Sequence, residues 1–315
     1  MKICIFGAGG VGAYYGARLL SVGAKVTFVA RGEHLRAMQK NGLHVKHPSF
    51  EFFQNVDACD MQELGKKDVR EFDAVIILVK AMYTSEVGLF LKQWCKDSYP
   101  YIISLQNGVE NEEELSLHVN PKKLIGGLSV KIGAHIVAPG VVEAVGESRT
   151  ILGAWEENEE AKEFLDSFKK LLETAEFPVL ISEDIRLELW KKLIINNGVN
   201  AICALLERKT GEVVHDKKLS QIVLGLMRET ANAARGVGVH VSTEDVEAMF
   251  DVIKGFDSIK PSMLVDRENG RVMELEEICG VVIRNCQKQG LDAPYTKTIS
   301  YLLEFLTNSN PSSSG

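Results

Sequence analysis

No apolar stretch of this 315-residue chain reaches the roughly 20 residues that would span a bilayer, so a transmembrane helix is not expected. A basic surplus is missing too. The 36 Lys and Arg stand against 43 Asp and Glu, a net charge of −7, which argues against broad attraction to nucleic acid or to an anionic membrane. Any anionic ligand must therefore be met by a few local cations. Cys4, Cys59, Cys95, Cys203, Cys279 and Cys286 show no CxxC or other ligand-like spacing, which points to reduced core thiols rather than disulfides or metal ligands. His34, His44, His47, His118, His135, His215 and His240 are equally scattered. A zinc site thus lacks its donors, and these histidines read as structural or surface residues. Met1-Lys2-Ile3-Cys4-Ile5-Phe6 runs straight into glycines, which leaves no room for a signal peptide's apolar segment. Cytoplasmic location is the expectation that follows.

What is present is an ordinary globular composition, 45% apolar and 25% charged, in a chain longer than one hydrophobic core usually supports. Two domains are expected, residues 1–182 and 183–307, followed by a small, polar, loose tail over 308–315. The apolar run 2–6 leads into Gly7-Ala8-Gly9-Gly10-Val11-Gly12 and then an Ala/Leu-rich helical pattern. This is G-x-G-x-x-G between a buried strand and a helix, the context in which the pattern binds a dinucleotide. Gly7 permits the turn, Gly9 lets a pyrophosphate approach the backbone, and Gly12 lets the helix pack on the strand. The helix N-terminus then offers unpaired N–H groups to the phosphates. A glycine turn with no ligand is the plainer alternative, and the position between strand and helix weighs against it.

The strand Lys25 to Ala30 ends at Arg31, about 20 residues past the glycines, where NAD-binding domains carry Asp or Glu for the ribose 2′-hydroxyl. A guanidinium suits a 2′-phosphate and a carboxylate would repel it, so NADP(H) is favoured. The β-branched run 74–79 ends at Lys80, and Tyr101 to Leu105 ends at Gln106-Asn107-Gly108. In an open α/β sheet ligands sit beyond the carboxyl ends of the strands, so Arg31, Lys80 and Asn107 are expected near the cofactor. From Leu124 to Leu152 short alternating segments broken by glycines predict an antiparallel extension of the sheet. A charged amphipathic helix over 157–174 and a strand over 177–181 complete the first domain, and Ser182 offers a helix N-cap.

Beyond Asp184 helical periodicity dominates, with helices expected over 184–205, 216–236, 243–253, 268–289 and 294–307 and Ser262 in a loop. At about 100° per residue, Lys192, Asn196 and Asn200 share one face of the first of these, while Leu189, Leu193 and Ile194 anchor it. One ammonium beside two carboxamides suits a small, oxygen-rich anion whose carbonyl must accept a proton. A solvated helix face is the bland alternative for such a row. Glu274, at the polar start of a helix, and Ser262 could reach the same place. The apolar helical half could support a homodimer, although its own core explains the same stripes.

Taken together, Gly7-Ala8-Gly9-Gly10-Val11-Gly12, Val79-Lys80-Ala81, Gln106-Asn107-Gly108, Arg186-Leu187-Glu188-Leu189-Trp190-Lys191-Lys192-Leu193 with Asn196 and Asn200, and Pro261-Ser262-Met263-Leu264-Val265-Asp266 followed by Glu274 resemble the ketopantoate reductase (2-dehydropantoate 2-reductase) family. The resemblance runs to about residue 307 and implies an α/β fold, an N-terminal Rossmann-type dinucleotide-binding domain with a C-terminal all-helical domain. It implies NADPH-dependent reduction of the C2 carbonyl of ketopantoate to pantoate. Lys192 would be the general acid, Glu274 would orient it, and Asn107, Asn196, Asn200 and Ser262 would hold the substrate. Arg31 and Lys80 would meet the 2′-phosphate end, with Asn107 also near the nicotinamide and Glu274 near the bound ligands. Such a site is expected in a cleft between the domains. Lysine titrates near 10.4 in water, so the donor would be charged at neutral pH. Val265, Met273, Glu276 and Cys279 stand where family members often carry Gln, Thr, Asp and Asn. These departures bring a related 2-keto acid into the expectation, with a non-catalytic NADPH-binding sensor as the reading from another class.

Overall fold

The computed structural model describes residues 1–308 apart from Asp97 and Ser258. Among them the chain forms two compact units, one of residues 1–106 and 110–185, the other of residues 107–109 and those from Arg186 onward. The expected tail lies outside the described residues from Ser309 on, and Asn308 still belongs to the last helix.

The first unit opens with β1 (Lys2–Phe6), α1 (Gly10–Ser21), β2 (Lys25–Val29), α2 (Gly32–Asn41), β3 (Leu43–His47), β4 (Phe50–Gln54) and β5 (Asp57–Cys59). It continues with α3 (Met61–Leu64), β6 (Ala74–Ile77), α4 (Thr84–Cys95), β7 (Tyr101–Ser104), α5 (Asn111–Ser116) and β8 (Leu124–Val130). After these come β9 (Gly133–Ala138), β10 (Val141–Val145), β11 (Arg149–Ala154), α6 (Glu159–Thr174) and β12 (Val179–Ile181). The main sheet has the order β12-β11-β8-β7-β6-β1-β2-β5. Five of its strands beside β1 continue it in parallel, and only β8 and β11 pair antiparallel. The run β5-β2-β1-β6-β7-β8 is the 3-2-1-4-5-6 order of a Rossmann sheet, with its topological switch between β1 and β6. Ile3, Ile5, Phe28, Ile76, Ile77 and Ile103 are fully buried, as continuous β-branched strands covered on both faces must be.

The antiparallel extension of the sheet expected over 124–152 forms only in part. Only β8 and β11 of the 124–152 region extend the main sheet; β9 and β10 join β3 and β4 in a separate sheet of order β4-β3-β10-β9. The reason is that β3 finds β10 as a parallel partner, His44 opposite Val141, a pairing about a hundred residues apart that local periodicity cannot signal. Helix α1 is fastened to both neighbours. The buried Tyr15 hydroxyl is 2.9 Å from Ser129 Oγ and 2.7 Å from Thr150 Oγ1, and its ring stacks on Phe177 at 4.2 Å. The buried Arg18 pairs with Glu176 and lies 4.2 Å over the Phe50 ring.

The second unit is helical: α7 (Ile185–Leu206), α8 (Thr210–Val214), α9 (Leu219–Arg235), α10 (Thr243–Lys254), α11 (Ser262–Glu268), α12 (Val281–Lys288) and α13 (Pro294–Asn308). Two further expectations change. The helix predicted over 268–289 is broken, because Asn269-Gly270 ends α11 with Gly270 at φ +62, and a π-helical turn over Glu276–Gly280 precedes α12. Ser262 is the first residue of α11 rather than a loop residue. No helix among the described residues is long and apolar enough to cross a membrane.

Helices α12 and α13 pack on α9 around a polar knot. Glu229, 6% exposed, accepts hydrogen bonds from the Tyr295 and Thr296 backbone N–H groups at 2.9 and 2.8 Å and from Thr296 Oγ1 at 2.6 Å. It thereby caps α13 from a neighbouring helix. Asn197 Nδ2 adds bonds to Thr230 Oγ1 at 2.9 Å and Thr296 Oγ1 at 3.1 Å. Glu229→Ala would leave these donors buried without an acceptor and is expected to cost about 3 kcal/mol of stability. A urea titration checks it by the fall in the midpoint of the helical unit.

Candidate active site

The glycine turn is built by close backbone contacts. Its Gly7 and Ala8 N–H groups donate to the Val29 carbonyl at 3.2 and 2.9 Å, which sets the turn against the end of β2 just before Arg31. Gly7 has φ +106, and a Cβ there would lie 2.7 Å from the Val79 backbone nitrogen, so the end of β6 leading to Lys80 presses on the turn from the other side. At Gly12 a Cβ would meet the Gly7 carbonyl oxygen at 2.2 Å, and at Gly10 the Ala134 carbonyl oxygen at 2.0 Å. Gly9 differs, since a Cβ there meets nothing within 4 Å. The turn is therefore packed on every side but the one Gly9 presents. Gly9 is also the N-cap of α1, with no side-chain cap and no acidic residue in the first turn. The helix dipole's positive end faces that opening unopposed by any first-turn carboxylate. Such a cradle fits a pyrophosphate.

Arg31 is exposed and N-caps α2. Its guanidinium lies 4.7 Å over the ring of Tyr83, in the 3-10 turn Ala81–Tyr83 that Lys80 caps. The cation–π contact holds an otherwise mobile side chain. It also brings Arg31 to the segment that carries the half-buried Lys80. Sequence reading missed Tyr83, and nothing in its spacing marks it. The end of β6 is tied to that of β7 by Gln106, whose Nε2 donates to the Val79 carbonyl at 3.1 Å and to Thr84 Oγ1 at 2.8 Å. Thr84 in turn donates to Asn111 Oδ1 at 2.8 Å. Asn107 follows directly, and its Nδ2 donates to Glu274 Oε2 at 3.2 Å across 167 residues of sequence.

Glu274 is 7% exposed and stands just before the π turn, where the Ile278 N–H donates to its carbonyl at 3.2 Å. π turns recur at functional sites because the extra residue re-aims neighbouring side chains. On α7, Lys192 and Asn196 are half-buried and Asn200 is 3% exposed, while Leu189, Leu193 and Ile194 are buried beside them. The adjacent Lys191 has another occupation, pairing with Asp245 at 3.3 Å. The Asp245 carboxyl is held below its ordinary range first by the Ser242 backbone N–H, with Lys191 contributing. Ser262 is exposed at the start of α11. That helix is fixed to the C-terminal end of α7 by Arg267, which donates to the Ala204 carbonyl and to the Leu205 carbonyl at 3.2 Å.

All six cysteines are free and buried. Burial pushes the Cys95, Cys203 and Cys279 thiols to about 12 and those of Cys59 and Cys286 to about 11, which removes them as thiolate nucleophiles. The first unit offers a cradle that fits a pyrophosphate and two cations following β2 and β6; the helical unit offers an amide–carboxylate pair and, on α7, a row of one ammonium and two carboxamides.

Comparison with known proteins bears on both units. The description "Ketopantoate reductase PanE/ApbA" matches residues 3–157, and its C-terminal counterpart matches residues 184–307. A 2-dehydropantoate 2-reductase of Pyrococcus horikoshii is 29% identical over 316 residues, covering 100% of this chain and 99% of that protein. The crystal structure of a 2-dehydropantoate 2-reductase from Geobacter metallireducens superposes with a TM-score of 0.86 at 27% identity, over 97% of this chain and 100% of that one. A D-mandelate dehydrogenase, solved with NADH and anilino(oxo)acetate, gives a TM-score of 0.89 at 22% identity over 98% of this chain and 99% of that one; at that identity the likeness is one of fold. With both halves matched in order, the chain belongs to the ketopantoate reductase PanE/ApbA family of oxidoreductases.

Proposed function

We propose that the chain reduces 2-dehydropantoate to pantoate with NADPH. The observation that carries this reading is the 3.2 Å hydrogen bond between Asn107, at the carboxyl end of β7, and the buried Glu274. Both residues lie in the helical unit, and Asn107 directly follows Gln106, the last residue of the first unit's β7 segment, so an amide and a buried carboxylate are held together within it. When bound, the dihydronicotinamide supplies a hydride to the C2 carbonyl carbon. The chain's residues do the rest. The Lys192 ammonium donates its proton to the carbonyl oxygen and stabilises the negative charge developing there. Asn196, Asn200 and Ser262 hold the carboxylate and hydroxyl ends, and Glu274 orients the Asn107 amide and the lysine. Gly7 to Gly12 receive the pyrophosphate on backbone N–H groups. Arg31, stacked on Tyr83, and Lys80 meet the 2′-phosphate.

Half-buried Val265 and Met273, beside Ser262-Met263-Leu264 and Glu274, favour a second reading in which the same chemistry serves a bulkier, more apolar 2-keto acid. Steady-state turnover of 2-dehydropantoate and of branched and aryl 2-keto acids, followed by loss of NADPH absorbance, decides between them. Highest kcat/KM on 2-dehydropantoate supports the first reading. NADPH binding with no turnover on any of them would instead make the chain a sensor.

Arg31→Ala is expected to weaken NADPH binding about ten-fold or more while changing NADH affinity less than about three-fold, since a charge-assisted phosphate contact is what is lost. Equal losses for the two cofactors would overturn the NADP assignment.

A further inference from the structure

We propose that His34 is a positioning residue for the dinucleotide-binding turn: its neutral imidazole holds the turn between β9 and β10, and the hairpin so held packs on Gly10. The inference rests on the dinucleotide reading above and adds to it a residue and a proton state.

Helix α2 carries His34 in its first turn. The Gly140 N–H donates to His34 Nδ1 at 3.1 Å, so Nδ1 presents its lone pair and the ring proton sits on Nε2. Nε2 is buried with no hydrogen-bond partner. Gly140 is itself fixed, since its carbonyl accepts from the His44 N–H at 2.9 Å. The same hairpin also touches the glycine turn directly, the Ala134 carbonyl of β9 filling the place a Cβ at Gly10 would take. The small second sheet therefore braces the phosphate cradle at Gly10, and His34 fixes the end of the hairpin that does so.

A protonated imidazole has no lone pair, so Nδ1–H would point at the Gly140 N–H and that contact would break. Burial is the leading cause that lowers the His34 pKa from 6.5. The neutral form therefore persists through neutral pH and is lost as the pH falls through that lowered value. The charged groups around it are otherwise engaged. On α2, Glu33 and Arg36 pair at 3.3 Å and Arg31 lies over Tyr83. On β3, His44 Nε2 is 2.9 Å from Glu51. His135 of β9 is exposed, and the glycine turn and Pro139-Gly140 carry no titratable side chain.

The test is fluorescence titration of the full chain with NADPH and, in parallel, with NADH, which lacks the 2′-phosphate and its own ionisation near pH 6. Between about pH 7.5 and about pH 5 the parent protein is expected to lose NADH affinity about ten-fold, the cost of two buried donors facing each other. His34→Asn keeps an acceptor for the Gly140 N–H but takes no proton. It should bind as the parent does at neutral pH and stay within about two-fold across the range. His34→Phe, lacking the acceptor, should bind weakly at both ends, with a thermal melt to confirm that it folds. An acid loss in His34→Asn equal to the parent's would overturn the proposal. Failure of the parent to bind either dinucleotide at neutral pH is a different result, which brings down the cofactor reading and this proposal with it.

Discussion

Lys192→Ala is expected to lower kcat by roughly two or more orders of magnitude, with NADPH still bound, because the proton donor for the carbonyl oxygen is removed and nothing else is. Single-turnover absorbance at the nicotinamide band, with cofactor binding measured separately by fluorescence, gives the two quantities. Helix α7 supplies an internal control one residue away. Lys191 carries the same charge on the same helix but is paired with Asp245 at 3.3 Å and lies 4.0 Å from Glu188. A partly exposed ion pair contributes little, so Lys191→Ala should leave kcat within about three-fold of the parent. Near-normal turnover in the Lys192 variant, or equal losses in the two variants, would take Lys192 out of the chemistry.

Gly9→Ala should weaken NADPH binding at least about ten-fold while moving the thermal midpoint no more than about 3 °C. The combination matters because the neighbouring glycines cannot give it. A Cβ at Gly12 would lie 2.2 Å from a backbone carbonyl, so Gly12→Ala forces α1 away from the turn and loses stability and binding together. At Gly9 nothing stands within 4 Å, and the protein tolerates the methyl. Only a ligand whose phosphates approach that backbone would be displaced by it. Unchanged NADPH affinity in Gly9→Ala would mean that the turn does not receive a pyrophosphate.

What could be read before folding follows from range. Strand β1, the glycines and α1 are contiguous, and each has a local signature: an apolar run, a G-x-G-x-x-G spacing, a 3.6-residue period. The row on α7 was legible for the same reason, since residues 192, 196 and 200 are placed by a single helix. Features set by distant pairing were not. The second sheet depends on β3 meeting β10, and the Glu229 cap of α13 joins residues 66 and 67 positions apart. The hydrogen bond between Asn107 and Glu274 spans 167 positions; each residue could be nominated singly, but their contact could not. Tyr83 and His34 stayed hidden because a lone aromatic and a lone histidine look the same in a core, on a surface or beside a ligand. The break inside the predicted 268–289 helix carries only a weak signal, Asn269-Gly270, which the apolar period on either side masks.

The π turn over Glu276–Gly280 also bears on how this protein tolerates changes in length. Such a turn holds one residue more than an α-helical path over the same rise. Deleting a single residue there would let the segment relax to a regular helix of the same rise and turn, leaving Glu274 aimed at the Asn107 amide. The same deletion within α12 would swing everything before it by about 100° around the axis and carry the carboxylate away. The extra residue is slack in the chain, and a loss of one is absorbed at the π turn but felt in the helix that follows.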